Sequence, residues 1–213
     1  MQGKHIAALV IGVAVVGFVA YKYKDRLMGQ QAVVESSSVM QLKEAMRELW
    51  ALHVIWTREY IVAAVADAEE TKPVTERLLR NQVDIGNAIV PYYGRDAGTK
   101  LTALLKNHIL ISADVVAAAK AGDKAKLTDA DKRWHDNAQD IAKFLSSANP
   151  NWPLKMMTDM LYEHLRLTTE EATAHINKKW QNDIKAFDEV FKQAMGMADG
   201  LSDGIIKQFP DKF

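Results

Sequence analysis

The stretch SVMQLKEAMRELWALHVIWTREYIVA, residues 38–63, decides the fold class. Its apolar and aromatic side chains Leu42, Met46, Leu49, Trp56, Tyr60 and Ala63 recur at helical spacing, which places them on one face of an amphipathic helix and suits no strand. Ser38 followed by Gln41 is a capping-box pattern for its start. The helix must end before Pro73, whose missing N–H and fixed φ suit the first turn of the next one.

Working outward, the same period continues to the C-terminus. A second helix carries Leu78, Ile85 and Ile89, with Gln82 interrupting the stripe, and stops at PYYG, Pro91 to Gly94. Asp96 is placed to cap a third, with Leu101, Leu104, Ile111, Val115 and Ala118 inward and Gly122 closing it. A fourth runs through Leu127, Trp134, Ala138, Ile141 and Leu145 to a break at SSANPNWP, Ser146 to Pro153. A shorter fifth carries Met157 and Leu161. Thr168 with Glu171 reads as a second capping box, opening a last helix through Ile176, Trp180, Phe187, Phe191, Ala194, Ala198, Leu201 and Ile205. No segment alternates with period two, and the spacings are too uneven for a solenoid, so the expected architecture is all-α: an antiparallel helical bundle over 39–213. Met156, Met157 and Met160 read as core filler at helical spacing.

Upstream, Ile6 to Tyr21 reads IAALVIGVAVVGFVAY without a charge. As a helix it would reach about 24 Å, short of a hydrocarbon core of roughly 30 Å. Lys4, Lys22 and Lys24 snorkelling outward, with Tyr21 and Tyr23 at the interface, would make up the difference. The competing reading is a signal peptide, but no clean A-x-A cleavage site follows. The expected organisation is therefore a transmembrane anchor over 1–27, partnered by the lipid bilayer through residues 6–21, then a linker over 28–38 and the bundle. Lys22, Lys24 and Arg26 against Lys4 tilt the positive-inside rule slightly towards a cytoplasmic domain, with a signal-anchor and the domain outside as the open alternative, and Ala8 with Gly12 is a small-residue pair of the kind that arises readily in Ala/Gly-rich spans.

Composition narrows function by exclusion. Lys+Arg and Asp+Glu both number 27, so no net field favours nucleic acid. The absence of cysteine removes disulfides, thiolate nucleophiles and Cys-ligated zinc or iron–sulfur centres. There is no P-loop, Gly-x-Gly-x-x-Gly or His-Glu-x-x-His, and Ser112 has no nucleophile elbow, so the chain reads as a binding or structural protein in preference to an enzyme.

The sharpest signal is polar. His53, between Leu49 and Trp56, and His108, between Leu104 and Ile111, occupy positions where the period demands an apolar residue. So does His164, after Leu161, while Asp84 sits beside Ile85 with Asn81 a turn before. His53, Asp84 and His108 each fall near mid-helix, so an up-and-down bundle would place them at one level. Two readings stay open. His53, Asp84, His108 and His164 form a first shell for zinc, copper, manganese or iron, or for a small ligand. Alternatively His53, Asp84 and His108 form a buried hydrogen-bonded network, with Arg58 or Arg77 neutralising Asp84, that only specifies packing. No Glu-x-x-His occurs, which argues against a di-iron bundle; Glu171 with His175 and Asp131 with His135 read as exposed i,i+4 pairs.

The stretches HVIWTR (His53 to Arg58), RLLRNQVDIGN (Arg77 to Asn87), LLKNHILIS (Leu104 to Ser112), AAKAGD (Ala118 to Asp123), FLSSANPNW (Phe144 to Trp152), EHLRLTTEE (Glu163 to Glu171) and GIIKQF (Gly204 to Phe209) resemble a family of bacterial helical-bundle proteins of unassigned activity. Some members are labelled glycosyltransferase or acetylglutamate kinase. The resemblance covers roughly residues 45 to 209 and implies a helical domain without assigned catalytic residues. Phosphate-binding loops of the kind nucleotide-sugar and ATP sites use are missing here. Two functions are thus expected: a membrane-anchored binding protein, or a tethered assembly protein acting through its helix faces on a homo-oligomer or membrane-protein partner. An exposed aromatic strip would favour the latter, and Tyr92, Tyr93 and Trp152 are candidates for it.

Overall fold

The computed structural model describes residues 37–213. The expected anchor, and all of the expected linker but residues 37 and 38, lie outside the described residues; those two are already helical. Two compact units partition the chain. The large one is Leu42–Pro210, and the small one comprises, among described residues, 37–41 and 211–213.

Six helices and no strand are found among the described residues. They are α1 (37–65), α2 (Thr71–Ala88), α3 (Val90–Ala121), α4 (Lys124–Ala148), α5 (Leu154–Ile176) and α6 (Trp180–Gln208), followed by a 3-10 turn at Pro210–Lys212. Several ends follow from the sequence. Gly122 takes the left-handed conformation, φ 67°, and its N–H closes the last turn of α3 on Ala118 and Ala119. One residue later Asp123 accepts from the Lys126 N–H to start α4. Gly94, at φ 83° and ψ 169°, interrupts the helical run just where PYYG ends and reverses the chain. Beside that reversal α2 and α3 cross closely, a Cβ on Gly86 falling 2.6 Å from the Gly98 carbonyl oxygen.

The expected boundary at Thr168 is overturned. Thr168 and Glu171 lie inside α5, and the chain turns at Asn177–Lys179, where Lys178 has φ 57°. The Thr168 hydroxyl donates to the His164 carbonyl at 2.9 Å, an i−4 bond available only within a helix.

Consecutive helices pack against one another from α2 to α6, α3 also meets α5, and α1 touches both α2, through Asn81 to the Leu49 carbonyl, and α6, through Arg47 to Asp199. The six helices therefore close into a ring. Helix α3 is long and apolar enough to cross a membrane, but half of its apolar window is buried against its neighbours, as in the core helix of a bundle.

The uneven spacings that argue against a solenoid conceal a repeat of another kind. The hairpins α1–α2, α3–α4 and α5–α6 superimpose in pattern. On the odd helices, Met46, Leu101 and Met157 stand seven residues before the histidine, and Trp50, Leu105 and Leu161 three before. Val54, Ile109 and Leu165 follow it, then the hydroxyls Thr57, Ser112 and Thr168. On the even helices, Leu78, Trp134 and Val190 precede Asn81, Asn137 and Gln193, and Ile85, Ile141 and Met197 come one turn later. Each hairpin alone could bury only one face; three of them bury a common core.

Candidate functional site

At the centre of that core lie His53, His108 and His164, 3, 4 and 4 % exposed. They come from the inner faces of α1, α3 and α5. The His53 and His164 ring centroids are 5.5 Å apart, and charge on His164 would act on both other rings. The convergence of the three follows from one fact: each is the same position of its hairpin.

An amide on the following helix holds each ring, and each pair stands 29 residues apart in sequence. In the second and third hairpins the amide nitrogen donates to the carbonyl four residues before the histidine: Asn137 to Leu104 at 3.2 Å, Gln193 to Met160 at 3.0 Å. The amide oxygen is thereby turned to the ring. His108 Nδ1 donates to Asn137 Oδ1 at 2.8 Å and His164 Nδ1 to Gln193 Oε1 at 3.0 Å, which fixes the Nδ1–H tautomer on both. His108 Nε2, left as an acceptor, takes the Trp134 indole N–H at 3.1 Å.

The first hairpin departs from this pattern. Asn81 still donates to the Leu49 carbonyl, at 3.0 Å, but Gln82 comes between it and the ring. Gln82 Nε2 donates to Asn81 Oδ1 and the Leu78 carbonyl, and faces His53 Nδ1 at 3.3 Å. An amide nitrogen can only donate, so neutral His53 carries its proton on Nε2, opposite to the other two. All three rings are held neutral. Burial pushes His53 well below the usual imidazole value, reinforced by His164 and His108. Burial lowers His108 to about 4 against the raising effect of Asn137, and lowers His164 against that of Gln193.

Asp84 does not join them. Its side chain is 34 % exposed and faces Arg80, one turn earlier, at 3.4 Å. Being next to Ile85, which points inward, it is rotated away from the core. Neither expected arginine neutralises it: Arg77 lies over the Trp56 ring at 5.2 Å, and Arg58 binds Glu171 and Asp183. The expected exposed pair of Glu171 and His175 is corrected too, since Glu171 is buried and His175 Nδ1 meets Asp183 at 2.9 Å. The expected aromatic strip is absent as such. Trp152 is 2 % exposed, its indole N–H reaching the Gly200 carbonyl, while Tyr93 stacks on it and hydrogen-bonds Gln208 and Asn149.

No group of three or more His, Asp or Glu among the described residues is arranged to hold a metal ion. The reason is visible in His108, both of whose ring nitrogens are engaged. Space is also scarce. An apolar cavity lined by Met46, Trp50, Leu101, Leu105 and Leu161 and a second beside Thr57, Ser112 and Thr168 each measure about 20 Å³. That volume holds about one water.

Sequence reading missed Asn137 and Gln193, and took Gln82 only as an interruption. The signal that finds them is the recurring 29-residue interval between a histidine and an amide. Comparison of the chain with protein-family models, curated proteins and solved structures returns no match.

Proposed function

We propose that this chain is a membrane-tethered assembly protein, a helical bundle whose histidine–amide layer sets the register of its hairpins and whose outer helix faces meet its partners. The observation that carries this reading is the closure of the layer. Each Nδ1 is occupied by an amide from the adjacent helix, and the flanking cavities are too small for a ligand. Buried polar contacts of fixed geometry are suited to selecting one packing among several apolar alternatives. The uncharged segment 6–21 supplies the tether, inserted in the bilayer with the linker and bundle on one side.

A second reading, metal or small-ligand binding by His53, His108 and His164, has one observation in its favour. Metal-ligating histidines are commonly oriented through Nδ1 by an amide or carbonyl oxygen, as His108 and His164 are here. Elemental analysis of the full chain purified in detergent, beside its His108→Ala variant, separates the two. The assembly reading expects no stoichiometric metal in either and a lower unfolding temperature in the variant. One bound transition-metal ion per chain, lost in His108→Ala, would overturn it.

A further inference from the structure

Among the described residues, charge is buried in quantity at the place where α1, α5 and α6 meet. Glu171 of α5 and Asp183 of α6 are 1 % and 2 % exposed. One guanidinium serves both. Arg58 Nη1 donates to Glu171 Oε1 and Asp183 Oδ1, each at 2.8 Å, and Nη2 donates to Asp183 Oδ2 at 3.0 Å. His175 Nδ1 lies 2.9 Å from the same Asp183 Oδ2. Arg58 also covers the Phe187 ring at 5.0 Å, and Trp180 sets its edge against His175. Three elements contribute the titratable and charged groups here: Arg58 from α1, Glu171 and His175 from α5, Asp183 from α6. Glu170, Lys179, Lys185 and Glu189 line an open groove on the solvent side, where water screens them.

Two features make this more than packing. The first is the charge count: beside a neutral His175, two buried carboxylates on one arginine leave an unbalanced negative charge, which burial penalises and one added proton removes. The second is its place in the repeat. Glu171 occupies the position that the other hairpins fill with Tyr60 and Val115, both buried, so a core site has been given to a carboxyl group in one hairpin alone. The partner across the seam is α1, which the chain also ties to α6 through Lys43–Asp203 and Arg47–Asp199. This is the seam that closes the ring.

We propose that Arg58, Glu171, Asp183 and His175 form a proton-operated clasp between α1 and α6, which takes up one proton on Glu171 and holds the ring-closing seam more tightly with it than without. Glu171 is the acceptor because it has one bond to Arg58, whereas Asp183 has two and faces His175. The electrostatics agree: burial raises Glu171 to about 7 despite Arg58, and Asp183, although burial pushes it up, is brought below its usual value by Arg58 and His175. A carboxyl group raised on folding stabilises the fold at low pH and loses that contribution as pH rises through its folded value. The clasp therefore loosens above about pH 7.

The test uses the full chain in detergent, with Glu171→Gln and, as an apolar replacement, Glu171→Leu. The core histidines are common to all three proteins, so their titration cancels in the difference between variant and wild type. Glu171→Gln should gain roughly 3 to 5 °C in unfolding temperature on the wild type between pH 6 and pH 8. Infrared spectra of the wild type should show a protonated carboxyl band at pH 6 that fades by pH 8 and is missing in whichever variant folds. A temperature difference that stays constant across that range, or no pH-dependent carboxyl band, overturns the proposal.

Discussion

A buried histidine that is neutral in the fold but free to charge in the unfolded chain links stability to pH, and three are found among the described residues. Their folded values are lowered, by burial first, from 6.5. The sign follows: their contribution is complete above pH 6.5 and disappears as pH falls towards about 4, where His108 charges. Unfolding in denaturant should show stability falling from pH 6.5 to pH 4.5 in Glu171→Gln, where the opposite trend of Glu171 is removed; a flat profile in that variant would mean that the rings are solvated. Replacing His108 by Ala strands Asn137 Oδ1 and the Trp134 indole N–H. The cost expected from equilibrium unfolding is roughly 1 to 3 kcal/mol. Conversely, Arg80→Ala should fall within about 0.5 kcal/mol of the wild type, because Asp84, its partner, stays near the solvent. The three histidines were legible in the sequence because each breaks an apolar stripe. Asp84 was misplaced by a single residue, 100° of helix rotation, since periodicity alone cannot decide which of two neighbours at the edge of a stripe turns inward.

The elements themselves were legible wherever a signal was local. Gly122 after α3, and Gly94 after two tyrosines, act through their own backbone conformation, and both hold in the structure. Thr168 and Glu171 imitate a capping box in spacing but serve tertiary contacts: a hydroxyl folded back on His164, a carboxylate reaching α1. Nothing within α5 itself distinguishes these uses from a cap. The packing of Trp152 was hidden for the same reason, because its site is made by a residue far along the chain. A Cβ on Gly204 would overlap the Trp152 indole nitrogen. Gly204→Ala must therefore displace the ring from the Gly200 carbonyl, and overpacking of this kind costs roughly 1 to 3 kcal/mol. Near-ultraviolet circular dichroism should show the indole signal altered as the unfolding midpoint drops. A variant with wild-type stability and spectrum would mean that α6 can slide to accommodate the methyl group, as the space around Gly196 and Gly200 permits for those positions.

At the scale of the molecule, the ring of three hairpins explains why the bundle was legible while its symmetry was not. Equivalent positions share a physical class and seldom an identity: Leu49, Leu104 and Met160 offer a carbonyl, and Asn81, Asn137 and Gln193 an amide. The histidines and, ten residues on, the buried Ala63, Ala118 and Ala174 are identical in all three, but the inserted contact of Gln82 blurs even the histidines' partners. Burial asks for volume and polarity, which several residues satisfy, so a threefold pattern in space leaves a faint one in sequence. The same organisation makes a prediction about autonomy. Unit Leu42–Pro210 contains the core of the six described helices, including the hydrophobic clusters around Ile61, Leu78 and Ile109 and around Val54, Leu167 and Val190. The α1–α6 seam that closes it is also internal to that unit. A fragment of residues 37–213, freed of the apolar segment 6–21, should be soluble without detergent, show helical circular dichroism and unfold in one cooperative transition. Size-exclusion chromatography would give its state directly. Aggregation under conditions where the full chain is stable in detergent would show that the N-terminal segment completes the core, and the assignment of residues 6–21 to the bilayer would have to be abandoned with it.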